Sequence, residues 1–241
     1  MSTDGGLRLE RRDGGIAVAR LDRPEVRNAL DTATVVALAG AFERLAADDG
    51  LRALVLSTTS ERALCAGADL REPLDRAGGV ARMEAFARLY AAVDAFPAPT
   101  VCVCVGNVVG AGAELAAGGE LRVGGDNLRL AWAGARVGAP VGPARLVPLV
   151  GRSVATDWLL TGRTIGVEEA AAARFMHRTA PAARAAAAAL ELAREGAAHR
   201  PDGVRALKAM LREYERSAER IADENARLVA FQRDGAGLPR R

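Results

Sequence analysis

Two short apolar runs constrain this chain most: "LRALVLST" (51–58) and "TVCVCV" (100–105). A strand that is apolar on both faces must be covered on both, and that is the signature of a parallel sheet with helical crossovers. The text between the runs supplies such a crossover. Met83, Phe86, Leu89/Tyr90 and Val93 recur at helical spacing, and Pro97 and Pro99 close the helix. Upstream, two alternating segments flank Asp13-Gly14-Gly15 and predict a hairpin, which Pro24 ends. Asp31 is placed as the N-cap of a helix that carries Val35, Leu38, Phe42 and Leu45 on one face, and Gly50 ends it. "RALCAGADL" reads as a loop, "GAELAAGG" as a short helix and "ELRVGG" as a strand. The first 130 residues therefore read as repeated strand-strand-helix units with parallel connections. Beyond about residue 152 the pattern is helical, ending in one long amphipathic helix from Gly203 to about Phe231 and a loose tail. Its spacing suits packing on another helix or a neighbouring subunit. No linker divides the chain, and we expect a core over 1–185 and a C-terminal helical region over 186–241.

Composition narrows the function classes. Of 241 residues, 50% are hydrophobic and 26% charged, as in a globular protein. No apolar run approaches the roughly 18–20 residues of a membrane span. The N-terminus is polar and lacks an apolar signal core, which predicts a cytoplasmic protein. Cys65, Cys102 and Cys104 have no metal-binding spacing. Cys102 and Cys104 fall on one face of their strand, as small buried hydrophobes of a reducing compartment. Net charge is only +3 and aromatics make up 4%, so nucleic-acid binding is not expected. Lys208 is the sole lysine, far from any glycine loop, which removes Walker-type and Schiff-base chemistry.

The stretch "VGNVVGAGAEL" (105–115) looks like a strand, a glycine turn and a helix, the outline of a phosphate cradle. A dinucleotide fold would place that turn after its first strand, and here several elements precede it. A short-chain dehydrogenase also needs Tyr-x-x-x-Lys. Tyr90 and Tyr214 are instead followed four residues later by Asp94 and Ala218. Glu114, in the first helical turn, would repel a pyrophosphate.

Three segments in order point elsewhere. "LDRPEVRNALD" (21–31), "ALCAGADL" (63–70) and "GNVVGAGAEL" (106–115), followed by "LVGRSVATDWLLTGRTIGVEEAAAARFMHRTAP" (149–181), resemble the enoyl-CoA hydratase/isomerase, or crotonase, superfamily. The likeness covers about residues 5–235. It implies an α/β fold, a crotonase-like spiral of ββα units followed by an α-helical trimerisation region, hence a homotrimer or a dimer of trimers. It implies a coenzyme A thioester as substrate, with no further cofactor and no metal. By motif position the backbone N–H groups of Ala68 and Ala111 would bind the thioester oxygen as it becomes an enolate. Such donors must be fixed in advance, and losing one typically costs about 3 kcal/mol of transition-state stabilisation. Glu114 matches the first catalytic glutamate of the family and would transfer the proton. Arg27, Ala29, Ala66, Gly67, Asp69 and Leu70 would line the coenzyme A and substrate site. Gly110, Gly134 and Gly142 would complete it. The loop 71–80 would border the acyl pocket.

The resemblance breaks at one point. The second hydratase glutamate would fall at Gly134, and no carboxylate occurs between Asp126 and Asp157. Adding water across a double bond wants two acid/base groups, whereas moving a proton between two carbons needs one. The expectation is a one-glutamate reaction through an enolate, as a lyase or isomerase. The alternative is an acyl-CoA-binding or regulatory protein that retains the fold without chemistry.

Overall fold

In the computed structural model, which describes residues 2–239, successive turns of the chain each lay one strand in a large sheet and the next in a small one. An antiparallel ribbon opens the chain: β1 (Ser2–Asp4), β2 (Leu7–Arg12) and β3 (Ile16–Leu21). Helix α1 (Thr32–Ala46) follows, capped by Asp31, whose carboxylate accepts from Thr34 N at 2.8 Å. Three turns of spiral come next. They are β4 (Ala53–Thr58), β5 (Ala63–Cys65) and α2 (Arg76–Ala95); β6 (Thr100–Cys104), β7 (Asn107–Val109) and α3 (Ala111–Gly118); then β8 (Leu121–Gly125) and β9 (Arg129–Ala131) with α4 (Gly134–Val137), α5 (Pro143–Thr161) and α6 (Val167–Ala172). Strand β10 (Arg178–Ala180) and helices α7 (Ala182–Ala197), α8 (Pro201–Glu215) and α9 (Ser217–Arg233) complete the chain. The large sheet runs β1-β2-β3-β4-β6-β8-β10, parallel from β3 onward; the small sheet is β5-β7-β9, wholly parallel.

Both faces of the large sheet are buried, as the uninterrupted apolar runs require. Along β6, Cys102 and Cys104 face the main core, while Val101 and Val103 face α7. Helix α7 meets that second face with Ala185, Ala189, Ala193 and Ala197, a stripe every four residues. Small side chains there let the helix lie close to Ile16, Val18, Val55 and Val123. All three thiols are free and buried, and burial pushes those of Cys65 and Cys102 up to about 12. No helix among the described residues is long and apolar enough to cross a membrane.

Three expectations are corrected. "RALCAGADL" is not loop throughout, because Ala63–Cys65 forms β5 and pairs with β7. The stretch beyond about residue 152, read as helical, contains a strand, β10, which extends the large sheet beside β8. The single helix from Gly203 to Phe231 is two helices, broken at Arg216, which has φ 52°. The break turns α9 back along α2. Arg212 and Ser217, on either side of it, both bond the Asp94 carboxylate, at 2.7 and 2.8 Å. The boundary expected at residue 185 falls inside α7.

Lys208 fastens α8 to the core. Its buried ammonium donates to Ala98 O at 2.9 Å and pairs with Glu120 at 2.8 Å, and Glu120 also accepts from Thr100 N at 2.8 Å. Lys208→Ala should cost on the order of 1–3 kcal/mol, below the roughly 3–5 kcal/mol of a fully buried pair because Glu120 is partly exposed. Urea unfolding measures it, and a loss below about 0.5 kcal/mol, the range of an ordinary surface change, would contradict the fastening role.

Candidate active site

The site is built from backbone held by one buried side chain. Asn28 is 1% exposed and satisfies all of its amide. Its Oδ1 accepts from Arg23 N at 2.8 Å, and its Nδ2 donates to Thr58 Oγ1 at 2.7 Å and to the Ala63 and Leu64 carbonyls at 3.0 Å. This ties the 24–30 segment to the end of β4 and to β5. Segment 27–30 then pairs with the loop after β5. Ala66 N donates to Arg27 O at 3.0 Å, Leu30 N to Gly67 O at 2.8 Å and Asp69 N to Leu30 O at 2.8 Å. The Ala68 N–H, between them, has no acceptor among the described residues.

A second free donor lies on the facing loop. Gly110 N donates to Ala131 O at 2.9 Å, and Glu114 N closes the first turn of α3 onto Gly110 O at 2.9 Å. Ala111 begins that helix, and its N–H also lacks an acceptor among the described residues. The two loops touch through backbone. A Cβ at Gly67, where φ is 102°, would lie 3.1 Å from Val109 O and 3.9 Å from Ala111 N. A Cβ at Gly112 would lie 2.4 Å from Cys65 O, so only glycine lets α3 sit this close to β5. Ala68 and Ala111 thus present unpaired N–H groups from adjoining loops, one of them at a helix N-terminus where the dipole favours an anion.

Glu114 projects from the first turn of α3 into the interior, with a side chain 0% exposed. Oε1 accepts from Trp132 Nε1 at 2.7 Å, and Oε2 from Arg145 Nη1 at 2.8 Å. The same Arg145 nitrogen donates to Glu224 Oε1 at 2.7 Å, and Ala144 N donates to the other Glu224 oxygen at 2.8 Å. The Arg145 guanidinium also lies over the Tyr90 ring, 4.3 Å from its centre. Trp132 is fixed by stacking with Trp158 at 6.0 Å and by the edge of Phe175 at 5.5 Å. Burial raises the Glu114 pKa from the ordinary 4.5 to about 7; Arg145 opposes the rise, Glu224 reinforces it, and the Arg145 and Trp132 hydrogen bonds oppose it.

Two recesses meet at Ala66, Ala68 and Leu70. One is a polar groove of about 460 Å³ that includes Arg27, Ala29, Arg62, Asp69 and Arg71. Burial raises the Asp69 carboxyl pKa, but hydrogen bonds from Arg71 and the charges of Arg71 and Arg23 hold it below the usual range. The other is an apolar cavity of about 130 Å³, reaching from Gly67, Gly110, Ala111 and Gly134 to side chains of α2 and α9. No charged residue lines it. Gly142 lines neither recess; it packs beside Trp132, and a Cβ there would come within 3.4 Å of Glu114 Oε1. The Glu114 carboxylate lies behind the cavity wall and does not line it. Residues 71–80 do not line the cavity either, and Arg76 onward is helix. Sequence reading missed Trp132, Arg145 and Glu224 as partners of Glu114. Arg145, a lone charge in the run "PARLVPLV", carried a signal; Glu224, 79 residues away, did not.

The enoyl-CoA hydratase/isomerase family model matches residues 11–233, and the chain belongs to that family. A putative enoyl-CoA hydratase of Thermus thermophilus is 36% identical over 82% of this chain and 81% of its own length. The 2,3-dehydroadipyl-CoA hydratase of Escherichia coli is 30% identical over 84% of this chain and 80% of its own. The crystal structure of an enoyl-CoA hydratase/carnithine racemase from Magnetospirillum magneticum matches with TM-score 0.80 and 27% identity, covering 89% of this chain and 82% of that one. An enoyl-CoA hydratase/isomerase from Xanthobacter autotrophicus shares the fold at TM-score 0.87 and 23% identity, over 98% of this chain and 90% of that one.

The raised Glu114 pKa has a signed consequence. Between pH 4.5 and about 7 the folded state keeps a proton that the unfolded state has released, so this group's contribution to stability falls as pH rises through that window. Glu114→Gln cannot ionise. The stability of the natural protein relative to this variant should therefore drop by on the order of 2–3 kcal/mol from about pH 5 to pH 8, read by urea unfolding. A flat or rising difference would mean that Arg145 outweighs burial.

Proposed function

We propose that the chain is an acyl-CoA enzyme that works through a thioester enolate, with Ala68 and Ala111 N–H as oxyanion donors and Glu114 as the sole proton carrier. The observation that carries this reading is the pair of acceptor-free N–H groups on adjoining loops at the head of an apolar cavity. Coenzyme A would lie along the polar groove, where Arg27, Arg62 and Arg71 offer charge to phosphates. The acyl chain would enter the cavity. An acyl group ending in a second carboxylate, as the name of the E. coli relative implies for that enzyme, would find no basic partner there.

The chemistry that fits best is isomerisation of a 3-enoyl to a 2-enoyl thioester. Glu114 takes a proton from C2, the C2–H electron pair becomes a C1–C2 π bond, and the carbonyl π pair moves to the oxygen, which the two N–H groups stabilise. As the carbonyl re-forms, the C1–C2 π pair becomes the C2–C3 double bond, and the former C3–C4 π pair takes the proton back from Glu114 at C4. Proton transfer requires one Glu114 oxygen to exchange Trp132 or Arg145 for the substrate carbon. A carboxyl poised near neutrality can both accept and return a proton. Gly134 offers no second acid/base group for water, and Glu224, which shares Arg145 with Glu114, is held by Arg145 and Ala144 N.

One observation favours the second reading, an acyl-CoA binder without chemistry: both Glu114 oxygens are already engaged and the carboxylate lies outside the cavity lining. One pair of measurements separates the two. With 3-butenoyl-CoA and crotonyl-CoA, the enzyme reading expects isomerase turnover above hydration, and a fall of about 10²–10⁴-fold in kcat for Glu114→Gln with binding retained. Thioester binding by calorimetry without turnover of either substrate supports the binder instead.

We further propose that the protein assembles as a homotrimer or a dimer of trimers. In support, α8 leaves Leu207, Leu211 and Tyr214 exposed at 63%, 63% and 74%, an apolar face that a partner would cover. Leu211→Glu should shift the mass measured by light scattering to that of the monomer; a natural protein that is already monomeric refutes the assembly.

A further inference from the structure

One side of the apolar cavity is lined by a segment that the loop expectation did not include. After α9 the chain turns back over α2. The Arg76 guanidinium holds the Arg233 carbonyl at 2.7 Å and the Gly235 carbonyl at 3.1 Å. Gly237 N donates to Phe231 O at 3.2 Å, and Leu238 N donates to Gln232 Oε1 at 3.0 Å. Gln232 itself lies over Gly79, where a Cβ would come within 2.5 Å of its Nε2. These contacts set the half-buried Leu238 side chain into the cavity wall, beside Met83, Phe86 and Leu228.

We propose that this C-terminal tail is the end wall of the acyl pocket, and that Leu238 restricts the substrate to short, uncharged aliphatic acyl groups. The inference rests on the acyl-CoA reading above. A cavity of about 130 Å³ holds roughly four water-sized or methylene-sized groups, a butanoyl chain and little more. In an apolar channel open at its end, each added methylene would tighten binding about fourfold. Here a longer chain must displace Leu238 and the hydrogen bonds behind it. The stretch 71–80 acts from behind this wall, through Arg76 and Gly79, which anchor the tail without touching the cavity.

The test uses saturated thioesters, which report binding without turnover: butyryl-CoA and decanoyl-CoA, titrated calorimetrically into the full-length protein. The natural chain should bind butyryl-CoA at least about tenfold more tightly than decanoyl-CoA. Leu238→Ala should shift that ratio at least about fivefold toward decanoyl-CoA. Arg76→Gln, which releases the tail from outside the cavity, should shift it in the same direction and guards against misfolding of the first variant. Decanoyl-CoA binding to the natural protein as tightly as butyryl-CoA overturns the inference and sends the chain out past Gly134 instead. A ratio that both variants leave within about twofold overturns it too, with the acyl-CoA reading intact. Failure of both thioesters to bind overturns that reading and the inference together.

Discussion

The close approach of two backbones, at Gly67 and at Val109–Ala111, is the constraint on which the site depends. One more carbon at Gly67 would lie 3.1 Å from Val109 O, and one at Gly112 would lie 2.4 Å from Cys65 O. These contacts exist because β5 and β7 pair in the small sheet, and that sheet exists because each spiral turn sends its second strand away from the large one. The large sheet, buried by the main core on one side and α7 on the other, supplies the apolar burial. The small sheet, short and tight, supplies geometry. Ala68 and Ala111 are partly exposed and line the cavity, so their N–H groups are open to an oxygen placed there.

Behind the donors lies a buried chain of charge, Glu114–Arg145–Glu224, with one cation between two carboxylates. Burial is what pushes a proton onto Glu114, with the second carboxylate reinforcing it and Arg145 pulling the other way. The chain also reaches from α3 through α5 to α9, so the proposed proton carrier is tied to the same helix that leads into the tail. Trp132 completes the grip by donating from a buried aromatic cluster with Trp158 and Phe175. The chemistry we propose at Glu114 therefore depends on loosening one of two well-formed hydrogen bonds, a cost the binding of an acyl group would have to supply.

Much of this was legible in the sequence, for identifiable reasons. Continuous apolar runs announced a sheet covered on both sides. Asp31 announced a helix start that the structure caps as expected. The glycine turn before Glu114 and the "ALCAGADL" segment located both loops. Elements written in few residues escaped: β5 and β10 have three residues each, too few for any periodicity. The break at Arg216 escaped because arginine is a good helix former, and the left-handed turn there is accompanied by anchors of Arg212 and Ser217 on the distant Asp94. The Arg145–Glu224 pair and the Leu238 wall were invisible because the partners meet only after the chain has folded back on itself.

The most direct measurement is a crystal structure with butyryl-CoA, whose saturated chain cannot isomerise. The thioester oxygen should lie about 2.7–3.1 Å from both Ala68 N and Ala111 N, with the acyl carbons in the cavity toward Leu238. A thioester oxygen bound anywhere else, with the two N–H groups facing solvent or protein, would contradict the oxyanion assignment on which the proposed chemistry stands.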